Sequence, residues 1–129
     1  MFTINLKSSE KNQLIDITDE IRELAQEQGR DKSACLIFVL HTTAAVTINE
    51  NADPDVKSDL IMGLKKLIPN FKEFKHREGN SDAHIKSSLV GSSEIIPLKD
   101  GKLILGTWQG IFFAEFDGPR KRSVVVSFF

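Results

Sequence analysis

The stretch ACLIFVLHTTAAVTINE, Ala34–Glu50, decides how the chain folds. Its first seven residues are all apolar and rich in strand-favouring types, which predicts a strand covered on both faces. His41 stands at the exit of that strand. Thr42 and Thr43 can bond the local backbone there. Beyond them Val46 and Ile48 alternate with Thr47 and Asn49, the period of two that marks a second strand after a bend.

Towards the amino terminus, Phe2, Ile4 and Leu6 alternate with polar residues as a half-buried strand. A short strand with Leu14, Ile15 and Ile17 follows, then a helix capped by Thr18 or Asp19, carrying Ile21, Leu24 and Ala25 on one face and ending at Gly29. Towards the carboxy terminus, Asp53-Pro54 starts a helix whose Val56, Leu60, Ile61, Leu64, Leu67 and Ile68 recur at helical spacing until Pro69. Phe71 and Phe74 are expected to pin the following irregular segment to the core. Asp82 is placed as the cap of a short helix over Ala83–Val90, with Ile85 and Leu89 inward and Gly91 as terminator. Glu94–Leu98 and Leu103–Leu105 read as a hairpin across Asp100-Gly101, and Ile111–Phe116 and Ser123–Phe129 as another across DGPRKR.

These elements predict an α+β fold: a mixed or antiparallel β-sandwich of about seven to nine strands with two longer helices and one short one, in a single domain spanning 1–129. A formal charge of −1, from 17 basic and 18 acidic residues, gives no basic excess for a phosphate backbone, so no nucleic-acid partner is expected. The start MFTINLKSSEK lacks signal-peptide character and no run approaches a membrane span. The expected location is therefore cytoplasmic, with no membrane partner. The single cysteine, Cys35, lies inside the apolar run and reads as a buried small residue. Nine phenylalanines, several in the carboxy-terminal strands, suggest strand surface that a subunit interface would cover.

Chemistry concentrates in HREGNSDAHIKSS, His76–Ser88, which holds two of the three histidines. A fold that returned His41 to this loop would gather all three imidazoles, a donor set that suits zinc or another divalent transition metal ion with one coordination position left open. Taken singly, each histidine reads more readily as a hydrogen-bonded structural or surface residue; it is the three together, each at the edge of a regular element, that point to a metal. Asp82 and Glu78 are candidate catalytic carboxylates that orient a ligand or accept a proton; the plainer readings are a helix cap and a solvated charge. Lys86, Ser87 and Ser88 near the short helix are candidate phosphate contacts, against which the charge of Asp82 counts. In GTWQG, Gly106–Gly110, Trp108 and Gln109 offer an aromatic wall and an amide handle for a flat ligand, or simply packing. No GxxxxGK, GxSxG, HExxH, paired CxxC or dinucleotide fingerprint occurs.

HTTAAVTINENADPDV from His41, HREGNSDAHIKSSLVGSS from His76 and GKLILGTWQGIFFAEFDGPR from Gly101 together resemble the YjbQ-like family, often labelled secondary thiamine-phosphate synthase. The resemblance is strong over about residues 36–129, and the DAHIKSS and GTWQG blocks are its most specific parts. It implies an α+β sandwich assembled as a homotrimer, metal ligation by His41, His76 and His84, and Asn49, Glu78, Asp82, Trp108 and Gln109 near the site. The reaction it implies joins hydroxymethylpyrimidine diphosphate to thiazole phosphate with release of pyrophosphate. The resulting expectation is a metal-binding enzyme acting on a small phosphorylated ligand, with Asp82 and Glu78 catalytic and Lys86, Ser87, Trp108, Gln109 and Asn49 contacting substrate. The alternative is a non-catalytic trimeric metal- or ligand-binding protein.

Overall fold

The computed structural model describes all 129 residues, Met1–Phe129. The elements run β1 (Phe2–Lys7), β2 (Gln13–Asp16), α1 (Thr18–Gln28), β3 (Ala34–Val39), β4 (Ala44–Glu50), α2 (Pro54–Leu67), α3 (Ser81–Val90), β5 (Ser93–Lys99), β6 (Lys102–Leu103), β7 (Gln109–Glu115) and β8 (Lys121–Phe128). All pairings are antiparallel, in a large sheet of order β1-β8-β3-β5-β6 and a small sheet of order β2-β7-β4. The architecture is the expected α+β sandwich, with eight strands and three helices. No helix is long and apolar enough to cross a membrane.

The main core lies between the sheets, where Ile37, Val39, Val124 and Val126 of the large sheet meet Val46, Ile111 and Phe113 of the small one, with Ile21 and Ala25 of α1. A second core covers the other face of the small sheet: Leu14, Ala45, Phe112 and Ala114 pack with Ala83 of α3 and with Leu60, Ile61 and Leu64 of α2. The strand enclosed on both faces is therefore β7, whose residues from Gly110 to Glu115 are all buried. In β3, Cys35, Ile37 and Val39 are buried, while Phe38 on the opposite face is 40% exposed. One face of that apolar strand thus lies open in the single chain, contrary to the expectation from its composition.

Further expectations are corrected. β7 and β8 follow one another in sequence but belong to different sheets, because Phe116–Arg120 carries the chain across the sandwich instead of folding it into a hairpin. Asp82 does not cap α3; the helix starts at Ser81 behind Asn80 without a side-chain cap bond, and Asp82 is buried. The inward face of α3 is accordingly Ala83, Lys86 and Ser87, while Leu89 is exposed. For α1, neither Thr18 nor Asp19 caps; Asp16 Oδ1 instead accepts the Thr18 N–H at 2.9 Å and also its hydroxyl. Phe71 and Phe74 pack edge to face on each other at 5.5 Å and join neither core. The sequence reading holds for Asp53, whose carboxylate accepts the Asp55 N–H ahead of Pro54, and for the Asp100-Gly101 turn, where both residues have positive φ.

Candidate functional site

The large sheet frays where β3 ends. Val39 is opposite Val124, so continuing the register would bring Leu40 to Ser123. The ladder stops there, and the imidazole of His41 takes over: its Nε2 accepts the Ser123 N–H at 2.9 Å. With that lone pair engaged, a neutral His41 carries its proton on Nδ1. Partial burial and the nearby Arg122 charge hold the His41 pKa below its ordinary value, against the opposing pull of Glu115.

His76 and His84 come from the far side of the small sheet. The loop before α3 is closed by the Gly79 N–H on the His76 carbonyl at 3.1 Å and by Asn70 Nδ2 on the Gly79 carbonyl at 2.8 Å. Gly79 has φ +76°, a conformation a side chain disfavours. The His76 and His84 rings stand edge to face with centres 5.3 Å apart. All three imidazoles line one cleft of about 400 Å³, together with Glu78, Asn80, Asp117, Arg120 and Arg122. A larger depression of about 690 Å³ shares Leu40, His41, Thr42 and His84 with it and continues along Phe38, Ser87 and Ser88.

Beneath this cleft lies an ionic network that the sequence reading missed. Glu115 is fully buried and is clasped by Arg122 through Nε (2.8 Å) and Nη2 (2.6 Å), while Arg122 Nη2 also donates to Thr43 Oγ1 at 2.8 Å. Glu115 further accepts the Ser8 hydroxyl and the Phe116 and Asp117 N–H groups. Burial pushes its carboxyl up, but these donors and the guanidinium charge outweigh burial and hold it below its ordinary value. Only half of the signal was present in the sequence: Glu115 falls within the apolar run Ile111–Phe116, where a charge requires a partner, whereas Arg122 lies in the stretch read as a turn.

The carboxylates and polar residues expected at the site take unequal positions. Glu78 borders the cleft and accepts a hydrogen bond from Asn80 Nδ2, which also donates to Asp117 at 2.9 Å. Asp82 lies behind the cleft, its Oδ2 paired with Lys86 at 3.1 Å and Lys11 at 3.2 Å. Burial raises its pKa, and the hydrogen bonds and charges of the two lysines more than reverse that. The Lys86 side chain is only 2% exposed and also donates to Asn12. Ser87 donates to the Ala83 carbonyl and borders the larger depression. Asn49, Trp108 and Gln109 are elsewhere: Asn49 and Glu50 end β4 opposite Gly110 and Gln109, a strand length of roughly 17–20 Å from the cleft. There Gln109 Oε1 accepts the Gly106 N–H at 2.7 Å, and Trp108 is 63% exposed.

The donor set can be tested against a metal ion. Two imidazoles on one tetrahedral zinc, each bound at about 2.0–2.1 Å, would have ring centres roughly 5 Å apart, and His76 and His84 stand at 5.3 Å. The spacing of the pair is thus that of two ligands of one ion, and equally that of an edge-to-face aromatic contact. His41 does not join it here, because its Nε2 is engaged by Ser123, and no three His, Cys, Asp or Glu side chains converge closely enough to enclose an ion.

A sequence model described as UPF0047 protein YjbQ-like matches residues 2–129. The chain is 56% identical over 126 residues to UPF0047 protein MJ1081 of Methanocaldococcus jannaschii, covering 98% of this chain and 91% of that protein. It is 49% identical over 125 residues to UPF0047 protein YugU of Bacillus subtilis, covering 96% and 95%. Among solved structures, an uncharacterised YjbQ/UPF0047 protein from Clostridium acetobutylicum superposes with a TM-score of 0.96 at 50% identity over the whole of both chains. A protein of unknown function from Sulfolobus solfataricus superposes with a TM-score of 0.93 at 33% identity, covering 98% of this chain and 94% of that one. On the family match and these relatives, the chain belongs to the YjbQ-like UPF0047 family.

Proposed function

We propose that the chain is an enzyme acting on a small phosphorylated substrate in the imidazole cleft. The observation that carries this reading is the meeting of imidazoles from the exit of β3, the loop before α3 and α3 itself in one cleft floored by a guanidinium. The family resemblance narrows the reaction to the thiamine-phosphate-synthase type. There the thiazole nitrogen forms a bond to the pyrimidine methylene carbon as the carbon–oxygen bond to the diphosphate breaks and pyrophosphate leaves. That chemistry requires stabilisation of a departing oxyanion and no abstraction of a proton from the attacking nitrogen. Glu78 and Asp82 consequently serve as orienting groups: Glu78 holds Asn80 at the cleft, and Asp82 fixes α3 through Lys86 and Lys11.

A divalent transition metal ion would be held by His76 and His84, and when bound it supplies positive charge beside the leaving group. His41 lines the cleft with its ring fixed by Ser123, and its Nδ1 proton would donate to the substrate there. The proposal also takes the working form to be a homotrimer. Its support is the open face of the large sheet, where Leu36, Phe38, Leu40, Ile95 and Val125 project away from the core; Phe38 and Leu40 also wall the larger depression. Asn49, Trp108 and Gln109 reach a reaction centre only if another copy brings them there.

Phosphorus NMR of the two substrates with metal-supplemented protein tests the reaction. Wild type should release pyrophosphate, and His84→Ala should be at least about 100-fold slower, the scale of losing a group that stabilises transition-state charge. Absence of turnover by the metal-loaded wild type rejects this reaction.

A further inference from the structure

Arg122 carries a donor that nothing in the protein uses. A guanidinium has five N–H groups, and the bonds from Nε and Nη2 to Glu115 and Thr43 occupy three of them. The two hydrogens on Nη1 have no acceptor in the chain, yet Nη1 is not among the polar atoms sealed from solvent without a partner. The Arg122 side chain is only 6% exposed and lines the imidazole cleft. Nη1 therefore reaches solvent from an otherwise enclosed side chain, and its two hydrogens are free to take a ligand's acceptors in place of water.

The fork is also held rigid. Glu115 grips two of the three guanidinium nitrogens, and Glu115 is itself fixed by the Ser8 hydroxyl and two backbone N–H groups. The His41 imidazole, on the same cleft, carries its proton on Nδ1 because Nε2 accepts from Ser123. The cleft's own carboxylates are engaged: Asp117 by Asn80 and Arg120, each at 2.9 Å, and Glu78 by Asn80. We infer that Arg122 Nη1, with the Nδ1–H of His41, is the oxyanion-recognition subsite of the cleft and takes phosphoryl oxygens of a small ligand. This rests on the reading of the cleft as a phosphorylated-substrate site, and it assigns the anion contact to Arg122 instead of Lys86, which is enclosed in its pair with Asp82. Because Glu115 cancels the charge of Arg122, selection works through directed N–H groups at fixed positions.

Inorganic phosphate and pyrophosphate are titrated into the full-length protein by calorimetry, with and without EDTA, in parallel with the turnover assay. Arg122→Lys keeps a cation beside Glu115 and removes the free fork; it should weaken binding about tenfold or more, the range for a lost hydrogen bond to a charged group. The surface variant Lys72→Gln/Lys75→Gln should change it less than about twofold. If Arg122→Lys fails to fold, Glu115→Gln/Arg122→Gln, which removes both charges together, should show the same loss. Unchanged affinity in a folded Arg122 variant overturns the subsite, as does equal weakening by the surface variant or binding that EDTA abolishes and Arg122→Lys leaves alone. Phosphate binding that depends on Arg122 in a protein without turnover keeps the subsite and rejects the reaction. Turnover that depends on His84, with phosphate binding indifferent to Arg122, does the reverse.

Discussion

Replacing Arg122 by alanine would leave Glu115 as an unpaired carboxylate in a fully buried position. Breaking a buried pair from one side costs about 3–5 kcal/mol, and urea unfolding of Arg122→Ala should show a loss of that order. Glu115→Gln/Arg122→Met removes both charges and should recover most of it. This pair shows where residue-scale reading of the sequence ends. The histidines were legible as a group because they are only three and fall at element edges, and the fold does bring them to one cleft. Lys86 and Asp82 were legible as polar residues near that group, but burial is decided by which side of α3 faces the small sheet. That face places both inside, paired with each other. Cys35, read as a packed apolar residue, is fully buried, and burial pushes its thiol up to about 12.

At the scale of elements, α2 was readable to the residue because its start is local chemistry: Asp53 accepts the Asp55 N–H and Pro54 occupies a position that needs no donor. Asp53→Ala should cost about 1 kcal/mol in stability, measured by thermal or urea unfolding. The strands were readable individually, and their partners less so. β7 and β8 carry a turn-like DGPRKR between two apolar runs, which is also what a crossing between layers looks like. The distinguishing feature is that β7 is buried on both faces, so helices must cover the side of the small sheet turned away from β8. The GTWQG bend has a close approach at its end: a Cβ on Gly110 would lie 2.4–2.7 Å from the Asn51 side chain, which also bonds Asp16. Gly110→Ala should break the Asn51–Asp16 tie and cost about 1–3 kcal/mol, the usual range for overpacking.

Across the whole molecule, acid sensitivity follows from groups whose pKa is depressed on folding. Between its folded and unfolded pKa such a group binds more protons in the unfolded chain, so stability is complete above the unfolded value and falls as pH drops through the folded one. His41, starting from 6.5, gives an upper stage of loss, and Glu115 from 4.5 and Asp82 from 3.8 a lower one. Glu94, raised by burial, acts in the opposite sense between the two stages, adding stability as pH falls through its folded value towards 4.5. Urea midpoints measured against pH should therefore decline below about 6.5 and again below about 4.5, with His41→Asn removing the upper decline. If the proposed homotrimer covers the open face of the large sheet, Phe38→Glu, which sets a charge among Leu36, Leu40 and Ile95, should leave a folded monomer in sedimentation velocity where wild type sediments as a trimer; a wild-type monomer would reject the assembly. The most direct test of the imidazole cleft as the functional centre is elemental analysis of tag-free wild type and the three histidine-to-alanine variants. The account predicts about one divalent transition ion per chain in wild type, lost from His76→Ala and His84→Ala and kept in His41→Ala. No ion in wild type, or wild-type metal content in His76→Ala or His84→Ala, would contradict it.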